Sequence, residues 1–228
     1  MNGVEDAFEV PCHAERSYRF DPRHSALMII DMQRDFLAPG GMCAEAGQDI
    51  GQLTPIVPRI RAVLAAARRA PLQVVHTREG FAPDLSDLPA PRRERNSVGR
   101  RGPLGRFLVR GEPGHDFIED LRPEAGEMVV DKPGYGAFHR TTLEADLRDL
   151  GITHLILSGV TTQCCVQSTL REAVDRGFTC LLLADCCAAL DPALHAATLA
   201  TIQGEDHLFG WIAESGALLA ALERHSGG

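Results

Sequence analysis

The sequence predicts an α/β fold in which helices flank a doubly wound, mainly parallel sheet. Two observations predict it. Short apolar runs of the kind found in buried strands recur along the chain, and segments with helical spacing of apolar residues separate them. Strands that alternate with helices in this way pair in parallel, because right-handed crossovers return each strand to the same sheet.

Five strands and five helices follow from this pattern. The predicted strands are 26–31, 72–77, 127–131, 154–158 and 180–185. The predicted helices are 55–70, 141–150, 163–176, 192–202 and 214–224. Gly151 and Gly177 stand directly after two of these helices, in the position where glycine commonly ends a helix.

Length and composition indicate one domain. The 228 residues, 44% of them apolar, are enough to bury one substantial core. We expect an N-terminal extension over 1–22 and the domain itself over 23–228. No apolar run approaches the roughly 20 residues of a membrane span, and residues 1–20 lack the apolar centre of a signal peptide. The net charge of −8 argues against a nucleic-acid partner, since phosphate binding requires a basic surface.

The cysteines indicate a reducing compartment. There are seven, an odd number, and Cys180, Cys186 and Cys187 lie in or beside an apolar strand, where a free thiol packs as a small hydrophobic group. Disulfides are rare in the cytoplasm, so we expect a cytoplasmic protein. No two Cys-x-x-Cys elements have the spacing of a structural zinc site.

Three reactive side chains come at the carboxyl ends of predicted strands. Asp31 ends the first strand, Lys132 follows the third, and Cys165 follows the fourth. Ligands bind at this edge of doubly wound sheets, so we expect the three side chains to converge. A thiol in the first turn of a helix is favoured as a thiolate, and the same N–H groups can bind an oxyanion. Asp31 could move the proton, and Lys132 could keep the carboxylate ionised.

Spacing alone leaves an inert alternative open. Cys165 could be a buried small hydrophobic residue, Asp31 a cap, and Lys132 its surface partner. A third possibility is a redox or binding protein whose adjacent Cys164 and Cys165 respond to oxidation without any hydrolysis. That possibility gives no reason for Asp31 and Lys132 to share the same edge.

Three motifs together resemble the isochorismatase-like cysteine hydrolase family. They are DMQRDF at 31–36, KPGYGAF at 132–138 and GVTTQCCV at 159–166, in the order that the family has them. The resemblance implies a Rossmann-like sheet and a catalytic triad of Asp31, Lys132 and Cys165. It also implies an oxyanion hole from the backbone N–H groups of Thr161 and Cys165, and a cis peptide between Val160 and Thr161.

The resemblance also narrows the chemistry. The family places its nucleophile directly before Val166, so Cys165 is the predicted nucleophile and Cys164 a packing or pocket-wall residue. Members that cleave the isochorismate vinyl ether lack this cysteine, which favours C–N cleavage here. Metal-dependent nicotinamidases of the family carry an Asp-x-His pair, whereas residues 40–60 contain Asp49 and no histidine. We therefore expect neither a metal nor another cofactor.

The substrate predicted from the resemblance is a small amide or ureide. The segments 76–80, 83–89 and 110–114 resemble biuret hydrolases most closely and ureidoacrylate amidohydrolases next. Triuret and other carbamoyl amides stay open, as do N-carbamoyl amino acid and nicotinamide amidases, because Glu205 stands where biuret hydrolases have a glutamine and Gln203 lies two residues earlier. The predicted substrate-binding residues are Phe36, His76, Arg78, Tyr135, Gln203 and Glu205.

Two of these predictions have structural alternatives. His76 could equally be a hydrogen-bonded core residue, and Arg78 could pair with Glu79 or Glu112.

The long connection 80–119 could be a lid, a subunit contact or a solvated surface. It carries a basic cluster of six arginines, namely Arg92, Arg93, Arg95, Arg100, Arg101 and Arg106. The family resemblance further suggests a homo-oligomer, either a dimer or a tetramer.

Overall fold

Strands and helices alternate along the chain in this computed structural model, which describes residues 7–95 and 97–225. The strands are β1 Phe8–Cys12, β2 Arg16–Phe20, β3 Ser25–Ile30, β4 Gln73–Glu79, β5 Arg101–Gly102, β6 Gly105–Arg106, β7 Met128–Lys132, β8 His154–Val160, β9 Thr179–Ala188 and β10 Trp211–Ala213. The helices are α1 Arg34–Leu37, α2 Met42–Glu45, α3 Val57–Arg69, α4 Ala90–Arg95, α5 Leu143–Asp149, α6 Gln167–Asp175, α7 Pro192–His207 and α8 Ser215–His225.

A six-stranded parallel sheet forms the centre, in the order β10-β9-β8-β3-β4-β7. The chain first adds β4 and β7 on one side of β3 and then returns to add β8, β9 and β10 on the other. The connections after β3 and β8 therefore leave in opposite directions and open a crevice at the carboxyl ends of these two strands. The predicted α/β class and its five strands are confirmed.

Helices cover both faces of the sheet and divide the core into two layers. On one face, Leu27 of β3 belongs to a buried cluster with Ile60 of α3 and Leu218 of α8. On the other face, Met28 packs in a cluster with Leu170 of α6. Successive residues of β3 point to opposite faces, and both faces are buried, so the whole strand is apolar.

Two elements differ from the sequence prediction. The sixth strand β10 has three residues, too few for a periodic pattern to reveal. Residues 8–20 of the expected extension form an antiparallel hairpin of β1 and β2. Its residues Val10, Tyr18 and Phe20 are buried in the same core, because alternate positions of a strand share one face. Residues 1–6 lie outside the described residues.

The sequence predicts no membrane span, and the helices of the structure can be compared with that prediction. Within residues 7–95 and 97–225, no helix combines the length and the apolar character that crossing a bilayer requires.

Tyr18 should anchor the hairpin to the domain. Its ring lies 5.7 Å from the rings of both His154 and Trp211, and its hydroxyl donates to the Thr179 carbonyl oxygen at 3.2 Å. Tyr18→Ala should lower the free energy of unfolding by about 3–5 kcal/mol in urea denaturation, as for other buried aromatic residues. The exposed neighbour Arg19→Ala should stay within about 0.5 kcal/mol of wild type. Equal effects of the two substitutions would show that the hairpin is not part of the core.

Candidate active site

A buried ion pair lies at the crevice beside β3. Asp31 follows β3 directly with a φ of 51°, in the left-handed region that aspartate tolerates better than most residues. Its Oδ2 atom lies 2.8 Å from Lys132 Nζ, and both side chains are fully buried. Lys132 also donates to the carbonyl oxygens of Gly134 and Tyr135 at 2.8 and 2.9 Å, and Thr77 Oγ1 donates to Asp31 Oδ1 at 2.6 Å. The carboxylate and the ammonium group are therefore held in one geometry.

Lys132 keeps its charge despite complete burial. Burial by itself lowers the pKa of the ammonium group, but Asp31 opposes this most strongly, Cys165 and Glu79 add to its effect, and the pKa lies above the usual lysine value. The ammonium group is thus a fixed positive charge 2.8 Å from the Asp31 carboxylate.

Cys165 lies on a π-helical turn, Thr162–Val166, that precedes α6. An ordinary α-helical first turn was the expectation here. The turn follows a cis peptide between Val160 and Thr161, the geometry that the family resemblance implied. Cys165 is buried, and its thiol donates to Glu79 Oε2 at 3.5 Å. One ligand atom each of Cys165, Glu79 and Asp31 lies within 4.8 Å of the others.

The surroundings of Cys165 favour the neutral thiol, in contrast to the thiolate that its place at a helix start predicts. Hydrogen bonding with Cys164 raises the pKa of Cys165, burial raises it further, and Asp31 and Glu79 add to the effect, while Lys132 opposes them. The hydrogen bond with Cys164 and burial thus outweigh the nearby ammonium group of Lys132. The thiol must therefore lose its proton as it attacks, and a carboxylate stands close enough to receive it.

Glu79 and Arg92 are site residues that the sequence prediction missed. Glu79 ends β4 with 2% exposure, and its Oε1 atom accepts a hydrogen bond from Arg92 Nη2 at 2.5 Å. Gln33 fixes the Glu79 backbone by accepting from its N–H at 2.8 Å and donating to its carbonyl oxygen at 3.0 Å. The sequence could have indicated Glu79 through the alternation of side chains along β4, because Thr77 and Glu79 lie two residues apart and point to the same side of the strand.

A cavity of about 170 Å³ opens above the Cys165 thiol. Its wall is mainly apolar and aromatic, and its charged side chains are Glu79 and Arg92. The predicted residues that line it are Phe36, Tyr135, Thr161, Cys164 and Cys165. Small, mostly apolar pockets with a few polar groups are typical binding sites for small molecules.

Comparison with known proteins identifies the family. Residues 25–216 match the Isochorismatase domain family. The chain belongs to the isochorismatase family. It is 33% identical over 211 residues to a protein named ureidoacrylate amidohydrolase RutB from Methylobacterium radiotolerans, a match covering 89% of this chain and 81% of the relative. A RutB protein of Serratia proteamaculans is 31% identical over 219 residues, covering 92% and 87% of the two chains.

Solved structures agree with this assignment. A cysteine hydrolase from Pseudomonas syringae pv. phaseolicola matches with a TM-score of 0.80 at 26% identity, covering 97% of this chain and 99% of that one. An isochorismatase family protein from Desulfovibrio vulgaris matches with a TM-score of 0.74 at 28% identity, covering 89% and 100%. The relatives are named as amidohydrolases and cysteine hydrolases, and this isochorismatase-family protein is an amide hydrolase.

His76 and Arg78 do not line the cavity of this family member. His76 is buried, and its Nε2 atom lies 2.9 Å from Glu127 Oε2. Arg78 binds Asp131 through Nε and Nη2 at 2.7 and 3.0 Å and lines a separate polar cavity. Both corrections have one cause. Residues 76 and 78 point to the side of β4 opposite to Glu79, because successive side chains of a strand alternate.

Gln203 and Glu205 are also outside the cavity lining. Gln203 is half-buried near the end of α7, and Glu205 is exposed. The helix breaks at residues 204–206, where Glu205 has a φ of 53°. Asp206, next in the chain, forms an ion pair with Arg16 of β2. The kink corrects both predictions, because it directs this end of α7 toward the N-terminal hairpin.

The connection 80–119 forms one wall of the cavity. Val98, Phe107 and Leu108 line the pocket opposite the sheet. Two of its arginines bind groups of the same segment: Arg93 donates to the Leu85 carbonyl oxygen, and Arg106 donates to Glu112. The Arg95 side chain is outside the described part of the structure. Of the other five arginines of the cluster, Arg92 is the one that lines the cavity.

The donor set at the cavity suits proton transfer better than metal binding. Asp31, Glu79 and Cys165 could each offer one ligand atom, the one such group of three within the described residues. Lys132 and Arg92 already pair with the two carboxylates, so a cation would have to displace them. The absence of a metal stays a prediction.

Gly159 sets how closely β3 and β8 approach beside the site. Its φ is +114°, and a Cβ atom would stand 2.1 Å from the Ile30 carbonyl oxygen, one residue before Asp31. Gly159→Ala should cost at least about 2 kcal/mol of stability in urea unfolding. Gly216→Ala, on the exposed face of α8 with open space around it, should be neutral or stabilising by up to about 1 kcal/mol. A Gly159→Ala variant with the same free energy of unfolding as wild type would contradict the close packing of β3 and β8.

His115 should make the fold sensitive to acid. Burial, helped by Arg78 and opposed by Asp131, lowers the pKa of His115 to about 4. An unfolded histidine has a pKa near 6.5, so its contribution to stability is complete above that pH and is lost as the pH falls toward 4. Between pH 7 and pH 4, wild type should lose about 3 kcal/mol more than His115→Gln in urea unfolding. The exposed control His24→Gln should follow wild type, and an unchanged slope in His115→Gln would contradict the argument.

Proposed function

We propose that this protein is a cysteine amidohydrolase that cleaves the C–N bond of a small ureide through a covalent acyl-enzyme and releases ammonia. One observation carries the proposal. A buried thiol, that of Cys165, lines a small cavity and lies within 4.8 Å of the Asp31 carboxylate. Lys132 forms an ion pair with the same carboxylate. Activation of a nucleophile by a neighbouring base is the general arrangement of covalent hydrolases.

Acylation begins with the neutral thiol. Asp31 takes the proton of Cys165 as sulfur attacks the carbonyl carbon, and the C=O electron pair moves to oxygen. The backbone N–H groups of Thr161 and Cys165 donate to that oxyanion. Asp31 then returns the proton to the leaving nitrogen, the C–N bond breaks, and ammonia departs. Lys132 keeps Asp31 aimed and ionised between these transfers.

Deacylation repeats the sequence with water. Asp31 takes a proton from water as the water oxygen attacks the thioester or thiocarbamate carbon. The C–S bond breaks, and the sulfur of Cys165 recovers the proton. Glu79, whose carboxylate accepts the Cys165 S–H at 3.5 Å at rest, orients the thiol in this scheme, and Asp31 acts as the base.

Substrate size and the names of the relatives support a ureide. A cavity of about 170 Å³ takes molecules of the size of biuret, triuret or ureidoacrylate. The relatives at 31–33% identity carry the name ureidoacrylate amidohydrolase. N-carbamoyl amino acids and nicotinamide are the other amides to test. A non-hydrolytic thiol protein has no support from these relatives.

The proposal includes a cytoplasmic homo-oligomer without a cofactor. All seven cysteines are free thiols, in keeping with a reducing compartment. Dimer and tetramer are distinguishable by light scattering of the purified protein.

Ammonia release tests the proposal. Wild type and its variants should be assayed with biuret, triuret, ureidoacrylate, N-carbamoyl amino acids and nicotinamide. Cys165→Ala should abolish turnover, and Asp31→Asn should lower kcat by about 10²–10⁴-fold, because it removes proton transfer. Lys132→Ala should lower kcat as well, because it leaves Asp31 unpaired. Turnover should survive in Cys164→Ala; turnover that vanishes there and persists in Cys165→Ala would reverse the assignment of the nucleophile.

A further inference from the structure

Arg92 enters the cavity from α4 and is fixed by several groups. Its guanidinium lies 4.1 Å from the centre of the Tyr135 ring and 5.0 Å from that of Phe81. Its Nη2 atom donates to Glu79 Oε1, and its Nη1 atom lies 3.5 Å from the Pro133 carbonyl oxygen. Such stacking and ion pairing hold the planar group in one orientation.

Two polar atoms of the Glu79 and Arg92 side chains can each form a hydrogen bond with a ligand. Arg92 Nε is buried and, within the described part of the chain, has no hydrogen-bond partner. Glu79 Oε2 has its contact with the Cys165 thiol, which is long at 3.5 Å, while Oε1 is taken by Arg92. Buried polar atoms are normally satisfied, so an orphan donor in a cavity wall marks the place of a ligand acceptor. The pair thus offers one N–H donor and one carboxylate acceptor near the nucleophile.

Charges at the cavity are balanced. Among the described side chains that line or underlie it, the cations are Arg92 and Lys132 and the anions are Glu79 and Asp31. Each cation is already paired with one carboxylate, and the Cys165 thiol is neutral. A carboxylate that entered this cavity would lose its water without gaining an uncompensated cation, which is unfavourable. A neutral group with both C=O and N–H would meet a donor and an acceptor.

We propose that Glu79 and Arg92 form a substrate-binding pair that selects neutral ureides over ureides that carry a carboxylate. Arg92 Nε–H donates to a carbonyl oxygen of the substrate beyond the scissile bond, and Glu79 Oε2 accepts from a substrate N–H. The pair determines specificity by its charge balance as well as by its hydrogen bonds. This inference rests on the proposed ureide hydrolysis and narrows its substrate class.

The test uses two substrates of nearly equal size that differ at one group, ureidoacrylate with its carboxylate and ureidoacrylamide with a neutral carboxamide, and biuret serves as a second neutral ureide. Wild type should show a kcat/KM for the neutral amide at least tenfold above that for the acid. Glu79→Gln leaves Arg92 with an uncompensated charge. The ratio of kcat/KM for the neutral amide to kcat/KM for the acid should therefore fall at least tenfold, independently of the absolute rates. Arg92→Gln should raise KM for the neutral amide by about 10–100-fold. Arg93→Gln, on the same helix but outside the cavity, should keep the wild-type ratio.

Binding provides the same test without turnover. In the Cys165→Ala background, calorimetry with the two compounds should give the neutral amide the lower Kd, and adding Glu79→Gln should reverse or erase that preference. A wild-type preference for the acid, or a ratio that Glu79→Gln leaves unchanged, overturns the inference while leaving ureide hydrolysis intact. Absence of wild-type ammonia release from every ureide would instead overturn the proposed function, and the calorimetric ratio would still decide whether the pair reads charge.

Discussion

The ion pair between Asp31 and Lys132 is the constraint on which the site depends. Two fully buried charges are tolerable only when each is matched and hydrogen-bonded, because an uncompensated charge in the interior is strongly destabilising. That demand explains the features around them. Asp31 adopts a left-handed backbone to reach its partner, Thr77 supplies a hydroxyl, and the carbonyl oxygens of Gly134 and Tyr135 take the remaining protons of the ammonium group.

The order of the strands and the alternation of side chains along them position the other residues of the site. The chain reverses its direction of winding between β3 and β8, so Asp31 and the Cys165 turn meet at one crevice although they are far apart in sequence. Alternation along β4 then sends Glu79 to the cavity and Arg78 to a separate polar cavity. Neighbouring residues of one strand thereby serve different sites.

The neutral thiol and the balanced charges belong to one electrostatic arrangement. The hydrogen bond with Cys164 and burial raise the pKa of Cys165, and Asp31 and Glu79 add to this, while Lys132 and Arg92 compensate the two carboxylates. The connection 80–119 contributes Arg92 and the apolar wall opposite the sheet.

Sequence alone determined the α/β class, the five main strands and the family, because apolar periodicity and local motifs are properties of short segments. It also predicted three reactive side chains, Asp31, Lys132 and Cys165, which the structure brings to one crevice. It also identified Phe36 and Tyr135, which lie within or beside those motifs. Tertiary structure decided the sixth strand, the hairpin, the pairing of Glu79 with Arg92, and the placement of His76, Arg78, Gln203 and Glu205 away from the cavity. These features depend on strand register, on the break in α7, and on how a long connection folds back over the sheet. Such contacts join distant residues, and no local pattern encodes them.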